Sequence, residues 1–321
     1  MRLLIVKTSS LGDVIHALPV VTDLCRAFPE LVVDWCVEES FAAIPALHPG
    51  VSRILPVAVR RWRKHLFSAN TWREMRAFRR QLRATDYDAV LDLQGLLKSA
   101  LIARQACGPV CGYAAEAARE PLAARFYDAT SVIPKNLHAI DRNRWLTAAS
   151  LNLPLGEVLE RGLDYGIDAP SLTVDWLPAA PYLVALTATS RDDKLWPEDR
   201  WIALGHALQA QGQRLVLPAG SPSERQRAQR LADAIPDALA APPLSIGQLA
   251  GLMRGAVAAI GVDTGLTHLA AALNKPTVAI YTGSDPGLTG VLAASPFRNL
   301  GGQGQCPEVA AVLSALSACL T

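Results

Sequence analysis

Short apolar runs of strand length recur along this chain, each followed by a loop of small residues and then a stretch with helical spacing. A run that is apolar throughout implies a strand covered on both faces, and hence a parallel sheet flanked by helices. Residues 3–6 form the first such strand, 8–13 the Ser/Gly loop after it, and 14–28 the helix behind it. Residues 31–37 read as a second strand, 41–46 as a short helix and 71–85 as a long charged helix. Residues 89–93 are a further strand, with its helix at 96–104. A second series starts after Pro178: strand 182–186, helix 197–211, strand 214–217, helices 223–235 and 246–254, strand 256–262, helix 267–273 and strand 277–281. Glu198 and Asp199 fall in an acidic first turn and Gly212 just past a helix end, positions each type favours. Residues 307–320 read as a closing amphipathic helix.

The irregular stretch 164–181, holding Pro170, Pro178 and Pro181, separates the two series. A boundary near 175 gives two doubly wound α/β domains, 1–175 and 176–321. A chain of 321 residues accommodates about two domains of ordinary size. Two such domains in tandem are expected to face one another across a cleft at the carboxyl ends of their strands, where loops bind ligands.

Composition excludes several classes. Half of the residues are hydrophobic and 19% are charged, unlike a disordered chain. No apolar run approaches the ~20 residues of a membrane span, which leaves peripheral contact with a membrane surface open. A net charge of +2 argues against a globally basic nucleic-acid binder, so any basic site is local. The six cysteines are scattered without a repeated Cys-x-x-Cys pattern, and residues 1–7 lack the apolar core of a signal peptide. A cytoplasmic protein with reduced thiols is the expectation.

Four segments carry candidate chemistry. In the first loop, Ser10, Gly12 and Asp13 open a helix, where small residues let backbone amides approach an anion. Neither Gly-x-Gly-x-x-Gly nor a Walker loop is present. Asp13 reads either as a helix cap or as a cleft carboxylate acting as general base. His16, three residues on, reads as a hydrogen-bonded helix histidine.

The second segment is Arg60-Arg61-Trp62-Arg63-Lys64, with no acidic residue between 51 and 73. It reads either as a solvated basic face or as the seat of an anion that relieves the mutual repulsion. An anionic membrane surface would do so at ~1 kcal/mol per cation. With Trp62 and Phe67 interleaved, a lipid-linked anion fits better than nucleic acid.

In the third segment, Thr189 and Ser190 precede Lys194 in a loop between strand and helix. They hold a leaving diphosphate, or the loop merely caps, with Lys194 paired to Asp192 or Asp193. The fourth segment, the sharpest, is Asp263-Thr264-Gly265-Leu266-Thr267-His268. A buried strand ends there and a helix follows at once, so the amides of Thr264 and Gly265 point at an anion on the helix axis. Asp263 as a simple cap and His268 as a core histidine are the alternatives. No metal-binding pattern such as Asp-x-Asp accompanies these loops.

The stretches 6–13, 60–64, 92–99, 118–122, 191–197 and 262–268, in this order, resemble the ADP-heptose:lipopolysaccharide heptosyltransferase family, and the basic run with Arg-Asp-Asp-Lys resembles its type I members. The resemblance covers nearly the whole chain. It implies a GT-B fold of two Rossmann-like domains and an inverting, metal-independent transfer of L-glycero-D-manno-heptose from ADP-heptose, with no cofactor. The acceptor it implies is the Kdo of Kdo-lipid A, met at the cytoplasmic face of the inner membrane. The family's catalytic aspartate falls on Asp13. Its donor-binding residues fall on Thr189, Ser190, Lys194, Glu224, Asp263, Thr264, Gly265 and His268. Leu244 stands where relatives carry Met near the adenine, and keeps that position apolar. Ser10 and Gly12 lie in the acceptor loop, and the basic acceptor-binding residues fall on Arg60, Arg61, Arg63, Lys64 and Arg119. The nearest alternatives are a type II heptosyltransferase, a GT-B sugar-nucleotide epimerase and a non-catalytic sensor of nucleotide or anionic lipid.

Overall fold

A computed structural model describes residues 1–177 and 181–321; Pro178, expected in the linker, lies outside the described residues. The chain divides into two compact units, Met1–Ile167 and Asp168–Thr321, so the division falls at 167 rather than near 175.

In the first unit the order is β1 (Arg2–Val6), α1 (Leu11–Ile15), α2 (Leu18–Ala27), β2 (Val32–Glu38), β3 (Val51–Val57), α3 (Val59–Trp62), α4 (Ala69–Arg83), β4 (Ala89–Asp92), α5 (Leu97–Ala103), β5 (Val110–Tyr113), β6 (Ala129–Ser131), α6 (Ala139–Ser150) and α7 (Leu155–Glu160). All six strands pair in parallel, in the order β3-β2-β1-β4-β5-β6. The core runs along the central strands: Leu3 to Val6 and Val90 to Leu91 are buried. Phe78 and Leu82 of α4 close one face.

Two expected helices differ. Residues 14–28 are not one helix but α1 and α2, with a break at His16 and Ala17. Pro19 sits in the first turn of α2, where its missing N–H is harmless, whereas in the interior of a continuous helix it would remove a hydrogen bond. Residues 41–46 hold only two 3₁₀ turns, Glu39–Phe41 and Pro45–Leu47, the second started by Pro45.

The second unit contains β7 (Tyr182–Leu186), α8 (Glu198–Gln209), β8 (Arg214–Leu217), α9 (Pro222–Ala234), β9 (Leu239–Ala240), α10 (Ile246–Gly255), β10 (Ala258–Val262), α11 (Gly265–Ala272), β11 (Thr277–Tyr281), α12 (Pro286–Thr289), β12 (Phe297–Gly301) and α13 (Val309–Leu320). Its parallel sheet runs β12-β11-β10-β7-β8-β9. The C-terminal helix α13 packs Val312, Leu316 and Cys319 into this unit's core beside Val278 and Ile280.

Counted within each unit, both sheets have the strand order 3-2-1-4-5-6. Ligands in such sheets bind where the order reverses, beyond the strand ends. Those points are β1/β4 in the first unit and β7/β10 in the second, and they select the loops described next.

Candidate active site

In the first unit, α1 begins at the reversal point. Ser10 is its N-cap and Asp13 its third residue, and the amide of Ser10 donates to Asp13 Oδ2 at 2.9 Å. Asp13 therefore serves the cap from inside the helix instead of being the cap residue. Its second oxygen, Oδ1, accepts from Arg119 Nη2 at 2.7 Å. Beneath it, the buried Lys7 ammonium donates to Leu93 O at 2.6 Å and to Asn143 Oδ1 at 3.4 Å. Burial pushes the Lys7 pKa down to about 8, against the attraction of Asp13. Burial alone would push the Asp13 carboxyl up, but the charges of Lys7 and Arg119 and the Ser10 amide hold it well below the usual carboxylate range. Lys7, Asp13, Gln94, Tyr113, Arg119 and Arg142 line a polar cavity of about 20 Å³, room for about one water.

The loop after β4 fixes this arrangement. Gln94 Oε1 accepts from the amides of Thr8 at 2.9 Å and Ser9 at 3.1 Å. Buried Asp92 accepts from the Gln94 amide at 2.9 Å, Ser99 Oγ at 2.8 Å and Tyr127 Oη at 2.7 Å. Gly95 has φ +67°, and a Cβ there would come within 3.1 Å of the Tyr113 ring, so this turn requires glycine. The Gly95 carbonyl accepts from the Glu120 amide, which carries Arg119 to Asp13. Sequence reasoning gave no role to Lys7, Asp92, Gln94, Tyr113, Arg142 or Asn143. A lysine closing a wholly apolar strand was the available signal.

The basic run straddles α3. Arg61 pairs with Glu39 (3.1 Å) and Glu74 (2.7 Å), and the Arg60 guanidinium lies 4.9 Å from the Phe41 ring centre. The repulsion inferred from the sequence is thus relieved at Arg61 by carboxylates brought in from outside the segment. Arg63 and Lys64 are exposed, and they form no ion pair among the described residues.

In the second unit the reversal point lies between the loops after β7 and β10. Asp263 directly follows β10, and Thr264, not Asp263, is the N-cap of α11. Lys194 Nζ lies 2.6 Å from Asp263 Oδ2, with both side chains largely buried. Its partner is therefore neither Asp192 nor Asp193; Asp193 pairs with Arg191. Ser284 Oγ also donates to Asp263 Oδ2, Thr189 Oγ1 donates to the Asp263 carbonyl at 2.9 Å, and His268 Nε2 lies 4.0 Å from Oδ1. Thr267 Oγ1 donates to Val262 O at 2.7 Å, and a Cβ on Gly261 would come within 2.2 Å of that hydroxyl. Ser190 lies exposed in the same loop as Lys194, and Gly265 begins the helix. Ser284 was missed because a lone serine after β11 carries no pattern.

Two expected donor residues sit apart from this cluster in sequence. Glu224 Oε2 accepts from the amides of Gly220 at 2.9 Å and Ser221 at 3.0 Å, completing a capping box at the start of α9. Leu244 is half-buried just before Ser245, the N-cap of α10. Among the described residues no group of His, Cys, Asp and Glu side chains is arranged to hold a metal ion.

Two doubly wound units of this strand order in one chain fit the GT-B fold of glycosyltransferases, and solved structures agree. It matches the E. coli heptosyltransferase WaaC with ADP at TM-score 0.90 and 42% identity over 99% of both chains. It matches E. coli ADP-heptose lps heptosyltransferase II at TM-score 0.79 and 21% identity over 100% of this chain and 98% of that one, a likeness of fold alone. The chain belongs to glycosyltransferase family 9 (heptosyltransferase), whose pattern matches residues 75–316. It is 48% identical over 296 residues to lipopolysaccharide heptosyltransferase 1 of Pseudomonas aeruginosa, covering 92% of this chain and 82% of that protein. It is 47% identical over 307 residues to the Escherichia coli K12 protein of the same name, covering 94% and 95%.

Proposed function

We propose that the chain transfers L-glycero-D-manno-heptose from ADP-heptose to the Kdo of Kdo-lipid A, with inversion and without a metal. The first unit would receive the acceptor, and the second would hold the donor. The observation that carries this reading is the Lys194–Asp263 pair at the β7/β10 reversal point, beside the N-terminus of α11. Asp263 and Ser284 aim the ammonium there, and with the helix amides it would neutralise the charge developing on a leaving diphosphate. Support for the donor comes from the relative with solved ADP and ADP-2-deoxy-2-fluoro heptose complexes.

In this reading Asp13 takes the proton of the acceptor hydroxyl. The freed oxygen bonds the anomeric carbon as the bond to ADP breaks, and ADP leaves with the electron pair. An Asp13 carboxylate held down by two cations is a weak base. An acceptor carboxylate that draws Arg119 to itself would remove one of those charges and raise the proton affinity of Asp13 when acceptor is bound. Thr189, Ser190, Thr264, Gly265 and His268 would contact the diphosphate and sugar, and Glu224 and Leu244 the ribose and adenine. Ser10, Gly12, Arg60, Arg63 and Lys64 would meet the acceptor. Arg61 would act through the fold of the segment, since both sides of its guanidinium are taken. The enzyme would work peripherally on the inner face of the inner membrane; among the described residues no helix is long and apolar enough to cross one.

The test is product formation from ADP-heptose and Kdo-lipid A in the presence of a chelator. Expected are a heptosyl product of anomeric configuration opposite to that of the donor, and free ADP, formed only when acceptor is present. ADP release without acceptor would favour the sugar-nucleotide epimerase alternative. Abolition of transfer by the chelator would contradict the metal-free mechanism.

A further inference from the structure

The most uneven charge on the molecule starts in the basic run and continues into α4, beyond the residues just described. Residues 60–83 carry nine Lys and Arg and one carboxylate, Glu74, a net +8 in a chain whose total is +2, so the remainder carries −6. Within this stretch α4 presents three distinct arcs. At about 100° per residue, Thr71, Met75, Phe78 and Leu82 share one arc, and of these Thr71, Phe78 and Leu82 are buried. Arg73, Arg76, Arg79, Arg80 and Arg83 fall within about 120° of one another on a second arc. All five are exposed, and their guanidinium groups find no ion pair or hydrogen bond among the described residues. They line an open depression of about 840 Å³ along the helix. The one acid, Glu74, is held on a third arc by Arg61, Trp62 and Asn70 at 2.7, 2.8 and 2.8 Å. It is therefore spoken for and does not neutralise the stripe.

Exposed large apolar side chains occur on this arc and just before the N-terminus of α4. Trp72 falls among the arginines by helical angle and is 50% exposed. Its indole Nε1 donates to Leu66 O at 2.8 Å, which ties the preceding turn to the same end of the helix. Leu66 is 48% exposed and Phe67 fully so. Cations alone would suit any polyanion. Cations together with exposed Leu, Phe and Trp match the boundary of an anionic bilayer, where the rings enter the headgroup region and arginines meet phosphates.

We infer that the arginine face of α4, with Leu66, Phe67 and Trp72, is the surface by which the first unit docks on an anionic phospholipid bilayer. This deepens the reading of a membrane-borne acceptor, but places membrane attachment on residues separate from those that would bind the sugar. None of these arginines belongs to the candidate site, so attachment and chemistry are separable.

The test compares the full chain with Arg76→Gln/Arg79→Gln/Arg83→Gln and Arg76→Lys/Arg79→Lys/Arg83→Lys triple variants in sedimentation with extruded vesicles. Vesicles are equimolar phosphatidylglycerol and phosphatidylcholine, or phosphatidylcholine alone. A cation near such a surface is worth about a fivefold change in partitioning. The glutamine triple should lose at least about tenfold, and the lysine triple should keep most of the binding. Binding by the parent chain should fall steeply between 50 and 300 mM salt, about where screening shortens, and Phe67→Ala should lose a smaller part. ADP affinity and transfer to a deacylated, water-soluble Kdo acceptor should stay unchanged in the glutamine triple. Equal binding of that variant and the parent chain, or equal binding to both vesicle types, would overturn the inference. So would tighter binding to a 20-base-pair duplex DNA than to anionic vesicles, which would make the stripe a nucleic-acid surface. Failure of heptose transfer with vesicle binding intact would instead count against the proposed function.

Discussion

Asp13 and Asp263 both lie in loops where the strand order of their unit reverses, yet the two carboxylates sit in different surroundings. Asp13 sits inside the first turn of α1, bonded to its own N-cap amide and flanked by the buried Lys7 and by Arg119. Asp263 sits directly after β10, before the cap of α11, and reaches sideways to Lys194 and Ser284. Arg119 is half exposed and approaches from a separate loop, so it can be drawn away by an incoming anion. Lys194 and Asp263 are both largely buried, a fixed pair whose ammonium is presented to one place. The first geometry suits a group whose charge state must change during a reaction. The second suits a group whose charge must stay put while a leaving group departs. In the proposed reaction the same strand order would host a base in one unit and an electrostatic clamp in the other, set apart by the neighbouring cations.

The sharpest way to break this contrast is Asp13→Asn. The amide keeps the size and one acceptor oxygen for the Ser10 cap but cannot take a proton. The expected loss is about 10²–10⁴-fold in kcat, with the folded structure retained by circular dichroism. Near-normal turnover would reduce Asp13 to a capping residue and make the two aspartates alike.

A second contrast lies in acid stability, which should be lost from the first unit. His48 is buried, with its ring 3.0 Å from Thr22 Oγ1 and accepting from the Gly50 amide at 2.9 Å. Burial lowers its pKa to about 4, opposed by the more distant charge of Asp164. The folded value lies below the ordinary 6.5, so the unfolded chain binds the proton first as the pH falls. Stability is therefore full above about 6.5 and declines progressively down to about 4, by up to about 3 kcal/mol. Thermal unfolding followed between pH 7.5 and 4.5 should show this decline, and His48→Gln should flatten it. A pH slope that His48→Gln leaves unchanged would assign the decline to other groups.

The smallest effects should come from the basic run. Arg63→Ala and Lys64→Ala are expected to raise the acceptor KM about 5–10-fold each, in line with one lost charged contact, with ADP affinity unaltered. Arg61→Ala should instead lower thermal stability slightly, because it leaves Glu39 without its ion-pair partner and removes one of the three groups that hold Glu74. If Arg61→Ala changes only KM, its ion pairs are secondary to an acceptor contact.

The sequence made the interiors of both sheets legible, apart from the short β5 (Val110–Tyr113), and their margins opaque. β1, β7, β8, β10 and β11 are apolar runs, because strands covered on both faces need apolar side chains on both. The four edge strands, β3, β6, β9 and β12, lack that signature. β3 carries Arg53 and Pro56, β6 is Ala-Thr-Ser, β9 has two residues and β12 contains Arg298 and Asn299. One side of such a strand is free, so polar residues and even proline are tolerated. In the site, the loops were visible because small and charged residues cluster after buried strands. Their partners were not, because pairs such as Arg119 with Asp13 and Lys194 with Asp263 join residues 106 and 69 positions apart. The partners of Arg61 were hidden for the same reason, since Glu39 and Glu74 lie outside the basic run in sequence but against it in space.

The division between a proton-accepting aspartate and a clamped lysine is tested most directly by calorimetric titration of ADP into Asp13→Asn and Lys194→Ala beside the parent chain. Expected are the parent affinity for Asp13→Asn and at least a tenfold loss for Lys194→Ala. Equal affinities in all three proteins, or a loss confined to Asp13→Asn, would contradict that division.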